Sequence, residues 1–218
     1  MSYTKTINAD CMDILPDMAD NEFDLAVVDP PYGIGEDGKK NHSRSKIAVS
    51  SQYKSKDWDK QSMSQDYFKQ ILRVSKNQII FGANHFISKI AIDSSCWIIW
   101  DKDNGATDFA DAEIAWTSFK SAVRIFKYRW QGMLQQNPKN KEIRIHPTQK
   151  PVALYKWILR TYAKKGEKIL DTHLGSGSSR IAADDLGFEF LGIEKDNDYF
   201  IEQEQRFEKY KAQLKLFA

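Results

Sequence analysis

Asp29-Pro30-Pro31-Tyr32 sets a carboxylate, a peptide carbonyl and a flat ring at one corner, directly after the apolar run FDLAVV. Each proline fixes φ and removes a backbone donor, so the corner is rigid. Its two acceptors, the Asp29 carboxylate and the Pro30 carbonyl, suit a planar amine. The exocyclic nitrogen of adenine or cytosine is a poor nucleophile because its lone pair is delocalised into the ring. One N–H held at each oxygen shifts that nitrogen towards tetrahedral geometry and frees the lone pair for in-line attack on an activated methyl. Acceptors fixed where charge develops, and reactants held in line, supply much of such a rate. The plain alternative is a proline-rich turn that only ends a strand.

A second constellation runs from Ile169 to Glu194, ILDTHLGSGSSRIAADDLGFEFLGIE, with the form strand, glycine turn, helix, strand, acid. A glycine turn at the carboxyl end of a buried strand lets a ligand approach the backbone, and the next helix presents free N–H groups. Glu194, at the end of the following strand, can accept hydrogen bonds from two ribose hydroxyls. Gly175 and Gly177 supply G-x-G, but the third glycine of the dinucleotide fingerprint is replaced by Arg180, and no phosphate-binding lysine loop occurs. The pattern reads as a nucleoside site. A tight turn without a ligand is the alternative.

These sites need a scaffold, and strand-like and helix-like stretches alternate along the 218 residues. Strands are predicted at 5–9, 23–29, 78–82, 96–101, 112–117, 122–127, 168–171 and 190–194. Helices are predicted at 11–18, 64–75, 84–92, 148–162 and 178–186, the last stopped by Gly187, with a final helix beginning near Asp196 and Asp198. Pro151 falls in the first turn of its helix, where its missing N–H costs nothing. The alternation predicts one α/β domain over 1–218 with a mostly parallel sheet. Residues 36–62 are polar and aperiodic, and read as a long, mobile loop.

Composition excludes several classes. Cys11 and Cys96 stand in unrelated contexts, which argues against a disulfide framework and a cysteine-based metal site. MSYTKTINAD lacks the apolar core of a signal peptide, and no apolar run approaches the roughly 20 residues of a membrane span, so a cytoplasmic protein without membrane contact is expected. From Lys120 to Lys168 thirteen Lys and Arg face only Glu142 and Glu167, a local +11 that leaves −9 for the rest of a chain of net +2. Such asymmetry suits a polyanion, although a solvated basic face is the plain reading.

Taken together, these residues resemble the β-group of DNA amino-methyltransferases, the N6-adenine and N4-cytosine enzymes. DPPYGIG at 29–35 precedes DTHLGSGSS at 171–179, the order of that circularly permuted group, and His146-Pro147-Thr148-Gln149-Lys150-Pro151 between them looks like its HPTQKP segment. NQIIFGANHF at 77–86 and WIIWDKDNG at 97–105 also look like family strands. The resemblance implies a single-domain, Rossmann-like methyltransferase fold with a seven-stranded sheet and helices on both faces. With Ile169 in the first strand, 190–194 is the second, 5–9 the third, 24–29 the fourth and 78–82 the fifth. The ends of strands one and four then meet at a switch point.

The same resemblance implies S-adenosylmethionine as methyl donor and no metal. It assigns catalysis to Asp29, Pro30, Pro31 and Tyr32, and the cofactor to Asp10, Cys11, Asp29, Thr148, Gln149, Lys150, Asp171, His173, Gly175, Gly177, Ser178 and Glu194. His173-Leu174 departs from the usual family turn, and His173 reads as a packing residue. Double-stranded DNA is the implied partner, its target base flipped out against Tyr32. Arg44, Lys46, Arg124, Lys127, Arg129 and Trp130 are the candidate DNA contacts, the last four within a short target-recognition segment at 120–145. An inward-packed hairpin with solvated basic residues is the alternative there. Asp29 favours adenine N6. N4-cytosine or RNA adenine methylation and a non-catalytic binding module are the competing readings, and the sequence leaves open a homodimer, a partner restriction endonuclease or none.

Overall fold

The run FDLAVV forms β2 (Phe23–Val28), and five of its six side chains are buried. A strand apolar on both faces must lie between two helical layers. A computed structural model of the chain describes residues 3–35, 56–105, 110–131, 134–139 and 141–216. The other strands are β1 (Tyr3–Asn8), β3 (Ser75–Phe81), β4 (Trp97–Asp101), β5 (Ala112–Thr117), β6 (Arg124–Lys127), the short β7 (Trp130–Gln131) and β8 (Leu134–Gln135), then β9 (Lys168–Asp171) and β10 (Glu189–Glu194). The helices are α1 (Cys11–Ile14), α2 (Gln65–Val74), α3 (Ile87–Ile90), α4 (Val152–Tyr162), α5 (Ser178–Leu186) and α6 (Asn197–Leu216).

The main sheet runs β1-β10-β9-β2-β3-β5-β4-β6, and β7 with β8 forms a separate two-stranded ribbon. Among the described strands of the main sheet only β5 opposes its neighbours. The sheet has eight strands rather than the expected seven, because Arg124–Lys127 pairs in parallel with β4 and adds an edge. β2 lies against β9 with Leu25 opposite Ile169 and Ala26 opposite Leu170, so the two carboxyl ends are side by side as expected.

Two buried clusters fill the two faces. One gathers Leu25, Val27, Ile79, Phe81 and Trp100 under Leu154 and Ile158 of α4 and Ala182 of α5. The other gathers Ala26, Val28 and Ile80 under Tyr67, Phe68, Ile71 and Val74 of α2. Ser64 caps α2 by accepting from the Tyr67 N–H at 3.3 Å, a contact worth about 1 kcal/mol.

Three helices differ from expectation for local reasons. The stretch expected over 11–18 breaks into a 3₁₀ turn at Leu15–Asp17, which contains Pro16. The helix expected over 84–92 divides into a 3₁₀ turn and α3, since Phe86 between them leaves helical dihedrals at φ −148°. Pro151 caps α4 from outside, so that helix begins at Val152. Among the described residues no helix is long and apolar enough to cross a membrane.

Candidate active site

The corner after β2 is held by a carboxylate from further along the chain. Asp59, 2% exposed, accepts the backbone N–H of Tyr32 at 2.7 Å and of Gly33 at 2.8 Å through one oxygen. Tyr32 donates its hydroxyl to Asp29 Oδ1 at 2.7 Å and stacks on His85 with centroids 5.2 Å apart. Gly82, just past β3, makes room for that ring, since a Cβ there would lie 2.1 Å from Tyr32 Cε1.

Asp29 also belongs to a chain of buried charges. Lys150 Nζ donates to Asp29 Oδ2 and to the Tyr32 hydroxyl at 3.2 Å. The same ammonium lies 3.0 Å from Glu113 Oε2 on β5, whose other oxygen pairs with Lys102 at 2.5 Å. That Oε2 is shielded from solvent and makes no aligned hydrogen bond. The four groups sum to zero charge, which a low-dielectric site requires. Burial raises the Asp29 carboxyl above its usual range against the pull of Lys150. For Glu113 burial also opposes ionisation, but Lys150 and Lys102 outweigh it and hold the carboxyl down at about 2.

The glycine turn follows β9. Gly175 and Gly177 take φ of +51° and +73°, a region costly for residues with a Cβ. Glu194 Oε2 accepts the Gly175 N–H at 2.7 Å, and its Oε1 accepts the Asp196 N–H at 2.8 Å. Asp171 accepts from the Ser179 hydroxyl at 2.6 Å and the His173 N–H at 3.0 Å. Burial, with Asp29 and Glu194 adding repulsion, nonetheless pushes its carboxyl up to about 7. The folded chain therefore retains a proton that the unfolded chain releases above about pH 4, and the contribution to stability falls as pH rises from there to about 7. Asp171→Asn, which cannot ionise, should gain on the wild type by roughly 2–4 kcal/mol between pH 5 and 8. Urea denaturation at the two pH values checks it; a pH-independent difference refutes it.

One short segment joins the two halves. His146 lies 3.7 Å from where a Gly175 Cβ would stand, while Lys150 sits on Asp29. The His146 ring is packed by Tyr199 and Trp58, with centroids at 4.3 and 5.2 Å, and burial lowers its pKa to about 3, so it stays neutral. Residues 56–59 span the same gap: Lys56 pairs with Asp196 and Asp198 beside the turn, and Asp59 binds the corner.

The expected cofactor residues divide by environment. Asp10 caps α1 by accepting from Met12 at 3.0 Å and pairs with Lys195. Cys11 beside it is buried, and that burial pushes its thiol up to about 12. Both follow β1, next to the end of β10. Ser178 lies at the start of α5, where Arg206 donates to its hydroxyl at 2.9 Å. Thr148 is exposed and bonded to His146 at 3.1 Å. Gln149 is buried and uses its amide to brace Ile145 and Ile143. His173 touches Thr172 at 3.0 Å and Tyr67 at 3.4 Å, and burial lowers its pKa to about 4. Arg180, at the position of the missing third glycine, is buried against the Phe207 ring and pairs with Glu204.

Among the candidate DNA contacts, Arg124 is exposed on edge strand β6, and Lys127 and Arg129 both pair with Asp103. Trp130 requires a correction. It is 7% exposed and donates its indole N–H to the Gln149 carbonyl at 2.7 Å, so it is a core residue that supports the 146–150 segment. Arg44 and Lys46, with most of the 36–62 loop, lie outside the described residues.

Sequence reasoning missed Asp59, Gly82, Lys102 and Glu113 as parts of the site. Only Glu113 left a signal, as a lone acid in the apolar strand AEIAWT. Among the described residues no group of three or more His, Cys, Asp or Glu is arranged for a metal.

The profile of the family described as DNA methylase matches residues 119–205. The Type II methyltransferase M2.DpnII of Streptococcus pneumoniae is 25% identical over 93% of this chain and 88% of its own. M2.MboI of Moraxella bovis is 24% identical over 94% and 88%. In structure, the M1.HpyAVI–SAM complex matches with a TM-score of 0.58 and 22% identity, over 93% of this chain and 99% of that one. A profile match over 119–205, relatives along nearly the whole chain and a common fold make this chain similar to DNA methylases.

Proposed function

We propose that the protein is an S-adenosylmethionine-dependent DNA methyltransferase that modifies the exocyclic amino group of a flipped base, adenine N6. The observation that carries this is the 146–150 segment, which spans from the Gly175 turn to the Asp29 carboxylate at the ends of adjacent strands. A nucleoside turn and an amine-gripping corner thereby become one site.

The residues fit the cofactor. Each Glu194 oxygen is bonded to one backbone N–H and keeps a lone pair, so the carboxylate can still accept a ribose diol. The atoms nearest a Cβ at Gly175 are those of the His146 ring, at van der Waals distance. When bound, S-adenosylmethionine supplies an electrophilic sulfonium methyl. Asp29 and the Pro30 carbonyl accept the two amine hydrogens, which localises the nitrogen lone pair and spreads its developing positive charge onto preorganised oxygens. The two prolines keep those oxygens from relaxing away. Tyr32 orients Asp29 through its hydroxyl, and its ring is the proposed stacking surface for the flipped base.

Double-stranded DNA is the partner this reading implies, in the cytoplasm, and Arg124 and Lys127 on β6 are proposed phosphate contacts. Arg124→Ala or Lys127→Ala should weaken binding uniformly across sequences and reduce the slope of log K against log salt by about 0.9 each. Fluorescence anisotropy from 50 to 200 mM salt reads this, and an unchanged slope removes β6 from the interface.

The deciding experiment supplies methyl-labelled S-adenosylmethionine with matched DNA and RNA oligonucleotides, followed by nucleoside chromatography. N6-methyladenine in DNA is the expected product. N4-methylcytosine would change the target, label in RNA alone would change the substrate, and no transfer despite cofactor binding would indicate a binding module. Thermal stabilisation by a nicotinamide dinucleotide but not by S-adenosylhomocysteine would overturn the reading.

A further inference from the structure

Both Asp29 oxygens are engaged, Oδ1 by the Tyr32 hydroxyl and Oδ2 by the Lys150 ammonium. That arrangement conflicts with the amine-accepting role proposed for Asp29. A carboxylate clasped by a buried ammonium has much of its negative charge neutralised, and an amine N–H, which carries only a partial positive charge, is a weaker partner than the full charge it must displace. The exchange becomes feasible if the ammonium has another carboxylate within reach, so that it never stands unpaired in the interior.

Such an acceptor is in place. Glu113 Oε2 lies 3.0 Å from Lys150 Nζ, shielded from solvent and without an aligned hydrogen bond. Its other oxygen is pinned by Lys102, which keeps Oε2 in position beside the ammonium. Lys150 Nζ rests 4.8 Å from the Phe81 ring centroid, and its side chain is 3% exposed, so water offers no alternative partner. A flexible four-carbon stem with three rotatable donors can turn from one oxygen to the other with little backbone movement.

We propose that Glu113 is a positioning residue for methyl transfer: it takes over the Lys150 ammonium when the target amine occupies Asp29 Oδ2. The transfer leaves the net charge of the cluster at zero and restores a full carboxylate charge to the amine. Glu113 touches no reacting atom and acts through Lys150. The inference rests on the proposed methyltransferase function.

The test is Glu113→Gln, which keeps the size of the side chain but removes the charge that receives Lys150. Single-turnover methylation of DNA should fall about 100-fold, with the Kd for S-adenosylhomocysteine and for DNA within about threefold of wild type. Adding Lys150→Met to this variant removes the ammonium that blocks Asp29 but also its pull on that carboxyl, so at alkaline pH, which keeps Asp29 ionised, the rate should rise at least about tenfold above Glu113→Gln alone. A merely structural role predicts the opposite, because the second lesion would then add to the first. If Glu113→Gln does not bind S-adenosylhomocysteine, Glu113→Asp keeps the charge and draws the acceptor back by one methylene; it should still slow transfer about tenfold. A wild-type rate in the soluble glutamine or aspartate variant, or a double variant no faster than Glu113→Gln, overturns the inference alone. A wild-type protein that transfers no methyl to DNA overturns the underlying function as well.

Discussion

Asp29→Ala should lower the single-turnover rate of methyl transfer by at least about 10³-fold, roughly 4 kcal/mol of transition-state stabilisation, while affinity for S-adenosylhomocysteine stays within about threefold. The asymmetry follows from the geometry. Asp29 sits at the end of β2 and bonds to Tyr32 and Lys150, whereas the proposed nucleoside side is built from Gly175, Gly177 and Glu194 beyond β9 and β10. Loss of the carboxylate removes one of two acceptors for the amine and leaves the turn untouched. It also leaves Lys150 and Lys102 sharing Glu113, a buried excess of one positive charge, so a stability cost of about 3–5 kcal/mol is expected. Assays must therefore run well below the lowered melting transition. Asp29→Asn is the sharper companion: it keeps the volume, yet should lose nearly as much activity because its amide carries donors as well as an acceptor. Isothermal titration with S-adenosylhomocysteine, beside rapid-quench methylation, separates the two effects. Equal loss of cofactor binding and transfer would mean that the assigned roles are wrong.

Gly82→Ala carries the second large effect, although residue 82 touches neither the amine corner nor the glycine turn by its own chemistry. Its φ is +68°, where an alanine costs about 1–2 kcal/mol. More important, the new Cβ would lie 2.1–2.4 Å from three atoms of the Tyr32 ring. No neighbour can yield by that much, so Tyr32 must leave its place against His85 and give up its bond to Asp29. A rate loss of about 100-fold is expected, with a total stability loss of about 2–4 kcal/mol. Tyr32→Phe removes only the hydroxyl and should cost less in both measures. Urea denaturation paired with rapid-quench kinetics reads both quantities. A Gly82→Ala protein at wild-type rate would show that the Tyr32 ring position is not needed for catalysis.

How much of this was legible in advance depends on the range of the interaction. β2 was readable because six consecutive residues with almost no polar character can only be a strand covered on both faces. The bounds of α5 were readable because left-handed glycines stand on either side of it, Gly177 and Gly187. The adjacency of β9 and β2 followed from strand order once a doubly wound sheet was assumed. Helix starts and interruptions were less legible, as at Pro151 and Phe86, because capping and dihedral changes occur within one or two residues.

Trp130 shows where local reading failed. In the sequence it alternates with basic residues like a base-stacking aromatic, yet it is buried against the 146–150 segment. Nothing within its neighbourhood says which face of the ribbon will be covered, since that depends on a loop brought over it by the rest of the fold.

The order of the two proposed sites along the chain, an amine corner first and a nucleoside turn later, was determined by residues whose conformations are set by their immediate neighbours: prolines, glycines and an apolar strand. Which charges face one another was decided only in three dimensions. Lys150 reaches Asp29 across 121 positions, and Glu113 meets both lysines because β5 runs antiparallel between β3 and β4. Backbone preferences act over a few residues and are written locally, whereas the pairing of buried charges follows from packing that only the assembled sheet supplies.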